Sequence, residues 1–166
     1  MQTFIYGFKP YRQFNENITE KIVSEFPNSP NIAKKVFDVE FNYEMFLSAL
    51  EINRPDLIIG LGQHPTARKL RIERKARNLY KTENQKSCRI RDVGPDYLFC
   101  NLGLPLIQGT TKTYDAGTYV CNFSMYLMSE YSIKNNVKFA FLHVPISMKN
   151  NFISRYLINL IDASMK

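Results

Sequence analysis

Asp56-Leu57-Ile58-Ile59-Gly60-Leu61-Gly62 is a continuous apolar run, preceded by Asn53-Arg54-Pro55 and closed by glycine. A strand apolar at nearly every position buries both faces, which marks a central strand of a parallel sheet. Val137-Lys138-Phe139-Ala140-Phe141-Leu142-His143-Val144-Pro145 is a second strong run of this kind. Before Asp56 the chain alternates. Gln2 to Tyr6 reads as a first strand, ended by Gly7-Phe8-Lys9-Pro10-Tyr11. Asn17-Ile18-Thr19-Glu20 has the form of a capping box and opens a helix to about Phe26, stopped by Pro27 and Pro30. Ala33 to Val39 reads as a strand, and Tyr43 to Ile52 as a helix with Met45, Phe46, Leu50 and Ile52 on its apolar side. Strand–helix alternation of this kind gives an α/β fold with a mainly parallel, twisted sheet and right-handed crossovers.

After Gly62 the pattern loosens. Gly62-Gln63-His64-Pro65 reads as a loop at a strand's C-terminal end, where ligands bind in open α/β sheets. Lys69 to Ala76 is expected as a strand, and Asn78 to Pro95 as polar, irregular chain. Tyr97 to Leu102 and Pro105 to Gln108 are expected as two more strands with no helix between them. Asn151 begins a last helix with Phe152, Tyr156, Leu157, Leu160 and Ile161 toward the core.

A length of 166 residues, 45% of them hydrophobic, implies one domain over residues 1–166. No stretch is long and apolar enough to span a membrane, and Met1-Gln2-Thr3-Phe4 lacks the features of a signal peptide, so a cytoplasmic location is expected. Cys88, Cys100 and Cys121 form no CxxC pair, which argues against a disulfide framework or a metal site and suits a reducing compartment. Gly62-Gln63-His64-Pro65 lacks the glycine spacing and the following Lys-Ser/Thr of a phosphate loop, and no cofactor is expected.

The net charge is +7, and its source is local. Arg68, Lys69, Arg71, Arg74, Lys75, Arg77, Lys81, Lys86, Arg89 and Arg91 face only Glu73 and Glu83 within the same segment. Such a patch can bind a polyanion, but it is more often a solvated or subunit-facing surface.

The chemistry concentrates at Asp115-Ala116-Gly117-Thr118-Tyr119-Val120-Cys121-Asn122. A small-residue turn leads into Cys121, and Phe123, Tyr126, Leu127 and Tyr131 then follow at helical spacing. Cys121 therefore lies at or just before a helix N-terminus, where the partial positive charge favours a thiolate. A cysteine nucleophile needs a base and a group that orients the base. His143, ending its strand, and Glu73, an acid among bases, supply those types. Taken singly, each has a bland reading: a buried thiol, a structural histidine, a surface salt bridge.

Taken together, the motifs resemble the cysteine-type pyroglutamyl peptidases, also called pyrrolidone-carboxylate peptidases. Gly7-Phe8-Lys9-Pro10-Tyr11 is similar to the family's GFxPF and Asn17-Ile18-Thr19 to its N-P-[ST]. Pro55-Asp56-Leu57-Ile58 with Gly62-Gln63 follows, and then Ile72-Glu73-Arg74-Lys75-Ala76-Arg77-Asn78 for xERxAxN. Ala116 to Asn122 matches AGTYxCN, and His143-Val144-Pro145 matches HVP. The resemblance implies a three-layer α/β/α sandwich and removal of an N-terminal pyroglutamyl residue through an acyl-enzyme. It implies Cys121, His143 and Glu73 as the triad, Phe8, Tyr11, Tyr119 and Val120 as pocket walls, and Asn17 and Gln63 as polar groups near the site. It further implies a peptide substrate with a blocked N-terminus and self-association into a homo-oligomer, with neither nucleic acid nor membrane as partner.

The chain departs from the family at several places. Arg12-Gln13 replace Gly-Gly, and Glu83 stands where the family has an arginine near the reacting carbonyl. The chain is also shorter between Asn78 and Cys121 and after His143. Slow turnover is expected unless Arg12 or Arg77 supplies the missing cation. The alternative is a diverged or non-catalytic relative whose basic segment binds a polyanion or a protein partner.

Overall fold

A computed structural model describes residues 1–82 and 84–164. The first strand, β1 (Thr3–Phe8), alternates cleanly: Phe4, Tyr6 and Phe8 enter one apolar cluster and Ile5 the other. Helix α1 (Ile18–Glu25) carries the chain to β2 (Ile32–Phe37), which pairs parallel with β1. Helix α2 (Tyr43–Asn53) then returns it across the opposite face to β3 (Leu57–His64), parallel to the other edge of β1. This reversal of winding at β1 places a crevice between the C-terminal ends of β1 and β3, the usual ligand position in such sheets.

Only residues 65–69 separate β3 from β4 (Leu70–Glu73). So short a link cannot make a parallel crossover, and β4 runs antiparallel to its sheet neighbour. That neighbour is β10 (Lys138–Pro145), which enters the slot between β3 and β4. The edge strand is β9 (Thr110–Thr113), parallel to β4, and the sheet order is β2-β1-β3-β10-β4-β9. Helix α3 (Val120–Asn135) packs with α2 on one face, and α4 (Asn150–Ser164) with α1 on the other. The architecture is thus the expected three-layer, mostly parallel α/β/α sandwich.

Several local expectations are corrected. The strand beginning at Leu57 continues through Gly62-Gln63-His64, because all of it pairs with β10. The expected strand from Lys69 breaks at Arg74, and β5 (Lys75–Arg77) pairs outside the main sheet with β8 (Tyr97–Phe99). Beyond β8, Asn101 holds the Phe139 N–H and Val137 carbonyl with its side chain, and Leu102 N–H donates to Phe139. That stretch satisfies the part of β10 that β4 leaves uncovered. Pro105 to Gln108 forms no strand; the edge position goes to the polar Thr110–Thr113 instead. The irregular region after Asn78 contains a minimal hairpin of β6 (Tyr80–Lys81) and β7 (Ser87–Cys88). Ile52, expected on the buried side of α2, is exposed; Phe46, Ala49 and Leu50 do that packing.

Half of the ten basic residues in the 68–91 segment are engaged within the chain. Arg71 pairs with Glu73, Arg77 with Asp115, Arg89 with Asp96 and Arg91 with Glu130, while Arg74 donates to the Leu102 carbonyl. No helix among the described residues is long and apolar enough to cross a membrane.

Gly60 lies where β1, β3 and β10 press together under the aromatic layer. A Cβ there would come within 2.5 Å of both Phe141 Cδ2 and Tyr6 Oη. Overpacking a close-packed core typically costs about 1–3 kcal/mol. Gly60→Ala should therefore lower the unfolding free energy read from urea titration by an amount in that range, whereas Gly103→Ala, with open space around it, should not.

Candidate active site

The site is built by the pleat of two neighbouring strands. On β10, Ala140, Leu142 and Val144 join the α1/α4 cluster, which turns Phe139, Phe141 and His143 toward α3. On β4, Leu70 and Ile72 take the α1/α4 side, so Arg71 and Glu73 share the face of His143. Antiparallel register sets Arg71 opposite His143 and Glu73 opposite Phe141. Glu73 is fully buried, and its Oε1 lies 2.8 Å from His143 Nδ1. The Thr113 hydroxyl of β9 donates to Glu73 Oε2, and Arg71 Nε lies 3.0 Å from Oε1.

Cys121 is the second residue of α3. Tyr119 at the N-cap gives no side-chain hydrogen bond, and the first intrahelical donor is Phe123, to the Tyr119 carbonyl. The N–H groups of the first turn, that of Cys121 included, have no intrahelical partner. The buried Asn122 fastens this helix start to the chain beyond Glu73: it accepts from Arg77 N–H and donates to the Arg77 and Leu79 carbonyls. Asn78 makes a similar two-way bridge to Arg91. Both motif asparagines thus hold backbone.

Gly62 is the floor on which the Cys121 thiol and the His143 imidazole meet. A Cβ at that position would stand 2.7 Å from Cys121 Sγ and 3.0 Å from His143 Nε2. The sulfur and the ring therefore occupy the space a side chain would fill. With Nδ1 on Glu73, the other ring nitrogen, Nε2, is left on the side of the Cys121 thiol. Burial alone would lower the basicity of His143, but these contacts with Cys121 and Glu73 outweigh it, and the imidazole is pushed up to about 9. Burial pushes the Cys100 thiol up to about 12.

A cavity of about 290 Å³ opens beside Cys121. All six residues expected around a substrate line it: Phe8, Tyr11, Asn17, Gln63, Tyr119 and Val120. Two of them carry structural duties as well. Asn17 caps α1 by accepting from Thr19 N–H and donates to the Lys9 carbonyl; its Oδ1 also accepts from the Thr19 hydroxyl. Gln63 Oε1 accepts from Ile18 N–H. Arg12, Gln13 and Phe14 also border the cavity. The Arg12 guanidinium lies 5.0 Å from the Tyr11 ring centre and 5.3 Å from that of Tyr119.

Gly62, Arg71, Thr113 and His64 belong to this site but were not expected in it. Alternation along 71–73 could have flagged Arg71. Thr113 could not be found, because its strand was misplaced. Glu83 lies outside the described residues. Among the described residues no cluster of three or more His, Cys, Asp or Glu side chains could hold a metal.

No protein-family model matches the chain. It is 26% identical to a pyrrolidone-carboxylate peptidase of Saccharolobus islandicus, over 88% of this chain and 80% of that protein. A pyrrolidone-carboxylate peptidase of Brachyspira hyodysenteriae is 28% identical over 87% of this chain and 83% of its own. Among solved structures, a pyrrolidone carboxyl peptidase from Thermococcus litoralis superposes with a TM-score of 0.85 at 22% identity, covering 99% of this chain and 93% of that one.

Two outcomes follow from the geometry. Cys121, at the cavity, should be alkylated by iodoacetamide before the buried Cys100 and before Cys88, as mass spectrometry of partly labelled protein will read; preferential labelling of either other cysteine contradicts this. A histidine raised in the folded state stabilises fully below its unfolded value of about 6.5 and loses that contribution as pH rises through about 9. Urea unfolding should show stability falling over that window, and His143→Gln should flatten the fall.

The resemblance drawn from the motifs is borne out: the chain is similar in sequence to pyrrolidone-carboxylate peptidases over most of its length and has the fold of pyrrolidone carboxyl peptidases.

Proposed function

We propose that the chain is a pyrrolidone-carboxylate peptidase of the cysteine type, removing an N-terminal pyroglutamyl residue from peptides. One observation carries the reading: Glu73 holds His143 by Nδ1, and His143 Nε2 and Cys121 Sγ converge over Gly62 beside a mostly apolar cavity. A small uncharged lactam suits such walls. Gln63 has its carbonyl committed to Ile18, so what it offers the lactam is its NH₂ group.

The Cys121 thiolate attacks the pyroglutamyl carbonyl, and the unengaged N–H groups of the first α3 turn receive the developing oxyanion. His143, protonated at Nε2, gives its proton to the leaving amine. The thioester then meets a water molecule that the neutral imidazole activates, and free pyroglutamate leaves. Glu73 holds the ring by Nδ1 throughout and stabilises its cationic form. Of the two arginines that could stand in for the missing family cation, Arg77 is paired with Asp115 at 3.0 Å, while Arg12 borders the cavity. Internal engagement of five of the segment's ten bases, Arg71, Arg74, Arg77, Arg89 and Arg91, favours this reading over polyanion binding.

A fluorogenic pyroglutamyl amide tests the proposal. The protein should release the fluorophore, and Cys121→Ala should abolish release. Glu73→Gln should lower kcat by about 10²–10⁴, as loss of the orienting acid does in triads generally. Arg12→Gln should lower kcat by about tenfold or more. No turnover by folded wild-type protein, or full activity in Cys121→Ala, overturns the proposal.

A further inference from the structure

Arg71 touches three parts of the site at once. Its Nε lies 3.0 Å from Glu73 Oε1, the oxygen that also meets His143 Nδ1 at 2.8 Å. Its Nη1 lies 2.7 Å from His64 Nε2, and its Nη2 donates to the Asp115 carbonyl at 3.1 Å. Asp115 opens the turn that delivers Cys121. The Nε contact has ion-pair distance but lacks hydrogen-bond alignment, so Arg71 gives Glu73 charge more than a directional bond.

That charge matters because His143 changes its own. The reaction needs the imidazole protonated when the amine leaves and neutral when water attacks. Each time it becomes neutral, Glu73 loses a cation, and a fully buried carboxylate without one is costly. An arginine stays charged throughout.

We propose that Arg71 is a positioning residue of this site: its permanent charge stays against Glu73 and holds it in place while His143 is neutral, and so lets His143 release its proton. This rests on the Cys-His-Glu reading given above. The other titratable groups around His143 do not substitute for Arg71. Cys121 faces it from α3 as the thiol partner, and Glu73 from β4 as the acid itself. His64, at the end of β3, stands ring-to-ring with His143 at 5.4 Å. Its basicity is lowered by burial and by the nearby His143 and Arg71, and it accepts from Arg71 as a neutral ring. Tyr6 on β1 and Cys100 beyond β8 are raised by burial and stay uncharged.

Without Arg71 the charge of Glu73 falls to His143 alone, which favours the imidazolium. NMR titration of the imidazole reads this directly. The chain has two histidines, so His64→Gln serves to assign the resonances. Arg71→Gln should raise the His143 midpoint by about one pH unit or more above wild type, and Arg71→Lys should return it toward wild type. A purely structural role would shift thermal unfolding and leave the imidazole midpoint in place. Should Arg71→Gln fail to fold, Arg71→Met, which keeps the buried stem, carries the same expectation. An unchanged or lowered midpoint in the folded variant overturns the proposal. No substrate is involved, so failure of the pyroglutamyl assay and failure of this inference are separate results.

Discussion

A carboxylate with no exposed surface, held 2.8 Å from an imidazole, is the contact on which the rest of the site depends. An ion so placed is tolerated only when its oxygens are occupied by donors and its charge is matched. These come from three strands: Thr113 on β9 and His143 on β10 hydrogen-bond the oxygens, and Arg71 on β4 supplies matching charge. That explains why β4 must lie between β10 and the edge, and why a polar edge strand closes the sheet. It also explains the antiparallel direction of β4, whose register against β10 brings Glu73 diagonally under His143.

The opposite side of the imidazole is governed by space. Gly62 lacks the side chain that would otherwise occupy the position of Cys121 Sγ, and Asn122 ties the start of α3 to the strand segment leaving Glu73. One continuous stretch, β4 into β5, therefore presents the acid and anchors the helix of the thiol. The cavity sits at the ends of β1 and β3, where the direction of winding reverses, so its walls come from the loop after β1 and from the turn before α3.

How much was legible in the sequence followed from how the signals arise. β3 and β10 could be read because strands buried on both faces leave unbroken apolar runs. α3 could be read because its apolar spacing is regular and a glycine turn precedes it. β9 could not, since Thr110-Thr111-Lys112-Thr113 is polar and takes its place from pairing with β4 and from the demand of Glu73 for a hydroxyl. Glu73 read alone resembles a surface acid among bases; only the pleat shows it buried. Arg71 was hidden by its neighbours, being one of ten basic residues in a segment whose charges look interchangeable until their partners are seen. Ile52 was misread because hydrophobic character on a short helix does not fix which edge of the apolar stripe is covered.

The central claim is that Cys121 bonds covalently to the pyroglutamyl group. Rapid mixing with a pyroglutamyl peptide, acid quenching within a turnover and peptide mass spectrometry test it most directly. The account predicts one pyroglutamyl mass added to the peptide containing Cys121 and to no other, lost again as turnover completes. Product formed under these conditions with Cys121 unmodified throughout, and the added mass absent or on another residue, would contradict it.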